Sequence, residues 1–269
     1  MPNQIRFEGW LTAGEAQQLL GMTYSALRNQ VIAGHIRSMT PPGARQARYS
    51  KEDVYRLKRS IEAALAVENA SPTEFVKATI EDMPAAVALA DAVFGGVNTI
   101  PVEKRVEWLK KNPDIDYLLK QEGQLVGYIS LVPLTPEAIE DLLTQRRFAK
   151  DLTSSDIVPY VPGQPVDIYG MAIGTQPGVS KEQKREWGAA LLRGTQDVLI
   201  DLGRRGIVIR SLKAHSNTPD GIRLMRHLGF TETEAVIPNM RDFVIDVATS
   251  GIPFIRRYKE AFAEWQKAR

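Results

Sequence analysis

The sequence predicts an α/β (α+β) chain of two units: a small basic unit of short helices and a hairpin, then a larger unit in which strands and helices alternate. Three observations predict this. The chain has 269 residues, more than one ordinary domain needs. Its helical periodicity breaks at Glu68-Asn69-Ala70-Ser71-Pro72-Thr73, which reads as a linker. Beyond the break, apolar runs of strand length alternate with amphipathic runs in the order β-α-α-β-β-(insert)-β-α-β-α-β-β. The expected domains are residues 1–67, a linker at 68–74, residues 75–250, and a C-terminal amphipathic helix at 251–269.

Thr12 precedes an apolar-periodic run and Glu15 follows three residues later, a capping box for a first helix. Ala16, Leu19 and Leu20 form its apolar stripe. Gly21 stops it, because glycine enters the left-handed conformation at no steric cost. Thr23 caps a second helix with Ala26, Leu27 and Val31 inward and Gly34 at its end, leaving Tyr24, Ser25, Arg28 and Asn29 outward. His35-Ile36-Arg37 and Ala47-Arg48-Tyr49 read as two short strands, with Pro41-Pro42-Gly43 between them to break both. Ser50 opens a third helix, with Asp53 three residues on and Val54, Leu57, Ile61 and Leu65 on its buried face.

This is the layout of a winged helix-turn-helix. Glu15-Ala16, Leu20-Gly21-Met22, Leu27-Arg28, Gly34-His35-Ile36 and Arg48-Tyr49-Ser50 carry a resemblance to the MerR-like and excisionase-like domains over residues 10–65. The resemblance implies a DNA contact through Thr23, Tyr24, Ser25, Arg28 and Asn29 on the second helix and Arg37, Arg45 and Arg48 on the wing. Arginine and asparagine bond base edges bidentately, while serine and tyrosine suit phosphates. Residues 1–60 hold nine Lys/Arg, Arg6 among them, against four Asp/Glu, a charge of +5 in a chain whose net charge is +2. Concentrating positive charge in one small unit localises attraction for phosphates. One such unit covers too small a half-site for tight binding, so a homodimer is expected.

Composition bounds the rest. No apolar run approaches the ~20 residues a membrane helix needs, and the first thirty residues lack a signal-peptide core. There is no cysteine, hence no disulfide framework, thiolate nucleophile or sulfur metal site. The only histidines, His35, His215 and His227, lack metal-ligand spacing, so no bound catalytic metal is expected. A cytoplasmic protein is the expectation.

In the larger unit, 75–80 reads as a strand, and 82–94 and 102–111 as helices. Residues 117–120 and 125–132 form a hairpin turned at Glu122-Gly123. Residues 136–149 read as a helix and 153–165 as a loop. Val166–Ile173 has little polar character and reads as a central strand. A long amphipathic helix at 181–202, a strand at 207–212, a helix at 219–228 and a hairpin of 235–237 with 242–247 complete the order.

Two places in that order resemble the GNAT superfamily of N-acetyltransferases, over residues 75–248. Arg185-Glu186-Trp187-Gly188-Ala189-Ala190 fits the superfamily's R/Q-x-x-G-x-G/A pattern at the opening of a helix. Asn217 follows a strand, and the next helix ends in Gly229-Phe230. The resemblance implies a mixed, mostly antiparallel sheet flanked by helices, and acetyl-CoA or another acyl-CoA as cofactor. Its pyrophosphate would rest on Arg185, Glu186, Trp187, Gly188, Ala189 and Ala190, since helix N-termini bind phosphate and small residues permit close approach. Its pantetheine arm would pair with the edge of Met171-Ala172-Ile173 and meet Asn217.

The chain also departs from the pattern. Met225 stands where many members carry a tyrosine that protonates the leaving thiolate, and no glutamate occupies the central strand. Tyr169, Asp167 and His215 remain as candidate proton carriers, and strand alternation puts Tyr169 and Asp167 on one face. Residues 134–165 are an insert whose Gln145–Lys150 stretch either lines an acceptor site, contacts the first domain or is a surface excursion. The last helix carries Phe254, Ile255, Tyr258, Phe262 and Trp265 on one side, to dock on its own domain or pair two subunits.

Three functions fit these readings. One is a DNA-binding regulator whose GNAT-like domain senses acyl-CoA or transfers its acyl group to an amine. Another is an N-acetyltransferase acting on a nucleic-acid-associated protein lysine or a small amine. The third is an adaptor that has lost both ligands.

Overall fold

A computed structural model describes residues 8–69, 72–96 and 99–268, with only the helical backbone for 61–69. Arg6, the side chains of Ile61 and Leu65, and Ala70-Ser71 of the expected linker fall outside the described residues. The chain divides between residues 71 and 72 into two units.

In the first unit, β1 (Trp10–Leu11) leads into α1 (Ala13–Leu20) and α2 (Tyr24–Ile32). The capping box forms at Thr12, whose side chain takes the Glu15 N–H while Glu15 reaches back to the Thr12 N–H at 2.7 Å. Gly21 ends α1 with φ of +62°, and Thr23 caps α2. β2 (Ser38–Met39) and β3 (Arg48–Ser50) follow, then α3 (Lys51–Asn69). The three strands form an antiparallel sheet in the order β1-β3-β2 over a core of Ala16, Leu20, Leu27, Ile36, Tyr49 and Val54.

Three expectations are corrected here. The first strand of the hairpin lies at Ser38–Met39, not His35–Arg37, because Ile36 is drawn into the core and Arg37 is held by Asp53. β1 was not anticipated: two residues are too few to show a period. α3 runs through Glu68-Asn69, and the next strand begins at Thr73, so regular structure enters the expected linker from both sides.

The second unit contains β4 (Thr73–Lys77), α4 (Met83–Phe94), α5 (Val102–Lys111), β5 (Asp116–Gln121), β6 (Gln124–Leu134) and α6 (Pro136–Leu143). Next come β7 (Pro165–Thr175), α7 (Lys181–Arg204), β8 (Val208–Ser216) and α8 (Pro219–His227). β9 (Thr231–Thr233), β10 (Arg241–Asp246) and α9 (Pro253–Lys267) close the chain. The sheet order is β4-β5-β6-β7-β8-β10-β9, and only β7–β8 is parallel, the mixed, mostly antiparallel sheet expected.

Strand alternation sorts the apolar side chains onto two faces. Met83, Leu89, Trp108, Tyr128, Val132, Ile139 and Tyr169 belong to the layer that includes α4, α5 and α6. Leu119, Ile129, Leu131, Ile168, Trp187, Leu191, Leu199, Ile255 and Tyr258 belong to the layer with α7 and α9. Each large apolar side chain so buried contributes about 1.5–3 kcal/mol.

Two further elements differ from expectation. The helix expected over 136–149 stops at Leu143, because Thr144 bonds back to the Glu140 carbonyl and Gln145 turns to φ of +53°. The strand expected at 235–237 lies at Thr231–Thr233, since Pro238 lacks an N–H and Asn239 is left-handed, which makes the later segment a turn. Within the insert, Leu152 and Ile157 are buried, and Arg147 pairs with Asp156 at 2.6 Å. Arg146 pairs with Asp141 and Glu140, so the Gln145–Lys150 stretch directs its arginines into the insert itself. No helix among the described residues is long and apolar enough to cross a membrane.

Candidate functional site

The parallel pair β7–β8 carries the most unusual geometry. Its ladder runs from Pro165–Val208 to Tyr169–Lys213 and stops there, although both strands continue. Beyond that rung, Ala214, His215 and Ser216 keep only β10, which lies along the opposite edge of β8 from Ser211 onward, so their edge toward β7 is bare. On the other strand Gly170–Thr175 pair only with β6, leaving six residues of β7 with a bare edge toward β8. The two strands thus form a fork in the middle of the sheet. A bulge between Ser130 and Leu131 on the β6 side bends β7 at Met171 and helps open it. Met171, Ala172 and Ile173 lie along the bare edge and are half-exposed.

Both helices that follow the forked strands begin at its open end. Ser180 caps α7 by accepting the Gln183 N–H at 3.1 Å, and Thr218 caps α8 by accepting the Gly221 N–H at 3.1 Å. Lys184 reaches Asp220 at 3.4 Å and links the first turns of α7 and α8. Lys181, Lys184 and Arg185 are exposed there. Ligands of open α/β sheets bind at the carboxyl ends of parallel strands, where helix N-termini offer N–H groups and positive dipole ends.

The expected pyrophosphate site needs correction. Arg185–Ala190 does not open α7, because the Ser180 cap starts the helix at Lys181. Gly188 and Ala190 sit inside the helix, where their N–H groups bond to preceding carbonyls. Trp187 is buried and donates its indole N–H to Gln121 at 3.0 Å, so it faces the core. Glu186 and Gly188 are half-exposed, Ala189 is exposed and Ala190 is buried. Asn217 lies exposed between β8 and the α8 cap, at the open end of the fork.

The two strand candidates separate. Asp167 and Tyr169 share a face, as alternation required, but Asp167 is saturated: Arg210 donates to one oxygen at 2.5 Å and Ser211 to the other at 2.7 Å. Tyr169 lies at the last rung before the fork and its hydroxyl is 2.9 Å from Nδ1 of His215. Burial pushes the Tyr169 hydroxyl far above its ordinary range and holds the His215 imidazole below its own. Directly across from His215 on β10 stands Asp242, a residue the sequence did not single out. Its Oδ1 is buried without a partner, and burial raises its carboxyl above the usual range. The only sequence signal for it was alternation in a strand, which does not distinguish a site residue from a surface one.

No family model and no curated protein matches the chain. Solved structures resemble it at low identity. The loading GNATL domain of CurA from Lyngbya majuscula is 16% identical, with a TM-score of 0.49 over 66% of this chain and 100% of that one. The GphF GNAT-like decarboxylase, determined with isobutyryl-CoA, is 14% identical, with a TM-score of 0.47 over 64% and 98%. The ribosomal-protein-S18-alanine N-acetyltransferase from Escherichia coli is 14% identical, with a TM-score of 0.40 over 68% and 98%.

Another concavity, of about 510 Å³, lies between β4, β5 and α7 over the stacked rings of Phe75 and Tyr117. Its rim is closed by internal ion pairs, Lys77–Asp114 at 2.8 Å and Arg205–Asp114 at 2.7 Å. It sits at the β4 end of the sheet, away from the fork.

In the first unit, Thr23, Tyr24, Ser25, Arg28 and Asn29 are exposed, and so is Arg45 on the hairpin loop. Burial, with Tyr24 nearby, raises the Tyr49 hydroxyl above its ordinary range. Arg48 lies on β3 and is half-exposed. Arg37 is placed differently from the rest, with its guanidinium on Asp53 at 2.6 Å and Glu52 at 3.1 Å.

Proposed function

We propose that the larger unit binds an acyl-CoA in the fork between β7 and β8 and passes its acyl group to an amine. The observation that carries this reading is the bare edge Gly170–Thr175 ending at two helix N-termini. A pantetheine arm is an extended chain with two amides, and a strand edge with unpaired N–H and C=O groups matches it as another strand would. The phosphates then meet the first turn of α7 with Lys181, Lys184 and Arg185, rather than Gly188. The thioester reaches the root of the fork, beside Tyr169 and His215. In the transfer the amine nitrogen bonds to the thioester carbonyl carbon as the C–S bond breaks. One proton leaves the amine and one reaches the thiolate.

Gly170 stands at the root of the fork, and a methyl there would touch Ala214 at 3.6 Å, an ordinary contact. Gly170→Ala is therefore expected to bind CoA as the native protein does. Gly170→Leu is expected to lower CoA affinity at least ~10-fold by filling the fork, about the cost of excluding a well-fitted group. Calorimetric titration with CoA decides it, and equal affinity for both variants would remove the ligand from the fork.

A second activity is favoured for the first unit by the exposed row Tyr24, Ser25, Arg28 and Asn29 on α2 and by exposed Arg45 on the hairpin loop. This surface suits duplex DNA, with the acyltransfer unit brought to acceptors near nucleic acid. Arg28→Ala with Arg45→Ala should reduce the slope of log affinity against log salt by ~2, since each phosphate contact contributes ~0.9. An unchanged slope in a duplex-binding titration rules out those two contacts.

A further inference from the structure

We infer that His215 carries the proton in acyl transfer, with Tyr169 and Asp242 as its positioning residues. The inference rests on the fork being the acyl-CoA site. Three strands deliver these side chains to one place. Ser211, Lys213 and His215 share a face of β8, Tyr169 is opposite Lys213 on β7, and Asp242 is opposite His215 on β10. All lie at the root of the fork, on the face away from α7 and α9.

The geometry settles the roles. The Tyr169 hydroxyl occupies Nδ1 of His215 at 2.9 Å, and the two rings meet edge to face at 5.9 Å, so the imidazole is held in one orientation. Nε2 makes no hydrogen bond among the described residues, and it is the nitrogen left to meet an acceptor. Asp242 is 7% exposed and keeps one oxygen without a hydrogen bond, although it lies directly across the ladder from His215. When ionised, a carboxylate one rung across the ladder from an imidazole favours the imidazolium that forms when a proton is taken up. Lys213 opposes it from the same face of β8, and the nearby Asp167 is already neutralised by Arg210. Burial favours the neutral imidazole at rest, the form that accepts a proton.

The step balances. Nε2 takes a proton from the amine as the new C–N bond forms. The tetrahedral centre collapses, the C–S bond breaks, and the imidazolium returns that proton to the CoA thiolate. One group thus serves as base and then as acid, which explains how the chain functions with Met225 on α8 in place of a proton donor.

The test uses the full chain, acetyl-CoA as donor, and spermidine, tyramine and a lysine-containing peptide as acceptors, with thiol release as the readout. His215→Gln is expected to lower kcat/KM by ~100-fold or more, the range for a lost general base, while CoA affinity by calorimetry is retained. Tyr169→Phe is expected to cost about 10-fold. Asp242→Asn is expected to move the acid limb of the pH profile down by about one unit, because a negative charge that supports the imidazolium is gone. His35→Gln, in the other unit, is the control. A His215→Gln protein with native kcat/KM, or an Asp242→Asn profile that does not move, overturns the inference. If His215→Gln fails to fold, the Asp242→Asn profile decides alone. A native protein that binds CoA but releases no thiol with any acceptor overturns the role of His215 and leaves the fork reading standing. A native protein that does not bind CoA overturns both.

Discussion

Asp53→Ala is expected to unfold the first unit near physiological temperature while leaving the second folded. Asp53 is 3% exposed and sits in the first turn of α3, where its N–H is taken by Ser50 at 3.3 Å. Its carboxylate accepts from the Arg37 backbone N–H at 3.1 Å, the Arg37 guanidinium at 2.6 Å and Arg56 at 2.8 Å. These bonds join the segment after α2 to the start of α3, across a unit with a small apolar core. Losing a carboxylate that satisfies a partly buried N–H and two cations costs about 2–3 kcal/mol. A folded unit of this size is stable by only about 3–9 kcal/mol. The arginines also hold the Asp53 carboxyl well below the usual carboxylate range. A depressed folded-state value means the stabilisation is complete above the unfolded value of about 4 and fades as pH falls below it. Circular dichroism should therefore show the first unit melting earlier in acid, and Asp53→Ala should remove that pH dependence. Arg37→Ala should behave as a weaker stability lesion, in contrast to the salt-slope effect expected of Arg28 and Arg45. Equal melting of Asp53→Ala and the native protein at pH 3 and pH 7 would sink this account.

Local rules made much of the fold legible. The capping box at Thr12–Glu15, the cap at Thr23, the stop at Gly21 and the turn at Glu122-Gly123 are each decided by a few adjacent residues, and each forms as the sequence implies. The helices at 83–94 and 102–111 follow from periodicity alone. What was not legible depends on partners far along the chain. Arg37 reads as a surface cation until Asp53, sixteen residues on, is folded against it. The pattern at Arg185–Ala190 suggests a helix opening, but Ser180 offers a better cap and the helix begins there. A small-residue pattern cannot reveal that its N–H groups are already bonded. The fork depends on the β7–β8 ladder ending at Tyr169–Lys213 while β6 and β10 go on pairing with the outer edges of the two strands, which is set by strands outside the motif. Asp242 was invisible for the same reason, since its importance is its register with His215.

Tyr258→Phe, which deletes one oxygen, is expected to destabilise the second unit by about 2–6 kcal/mol, because it strands two buried backbone groups at about 1–3 kcal/mol each. The Tyr258 hydroxyl accepts the Ile209 N–H at 2.7 Å and donates to the Ile207 carbonyl at 2.8 Å, which fastens α9 to the beginning of β8. Phenylalanine fills the same space and leaves both groups dry and unpaired. The helix can approach so closely because α7 presents glycine. A methyl at Gly203 would lie 2.7 Å from the Tyr258 carbonyl oxygen, and one at Gly206 would enter the ring of Trp265. Gly203→Ala should therefore also destabilise, by ~1–3 kcal/mol of overpacking. The apolar face of α9 is thus applied to its own unit, which leaves little of it to join two subunits. Urea denaturation checks this, with a lower midpoint and unchanged slope for both variants. β8 is parallel to β7 only over its first residues, and Tyr258 fixes that stretch. Loosening it should widen the spread of fork geometries before the unit unfolds, so Tyr258→Phe should bind CoA more weakly even where it is fully folded. Native affinity in the folded variant would show that β7 holds the fork without help from α9.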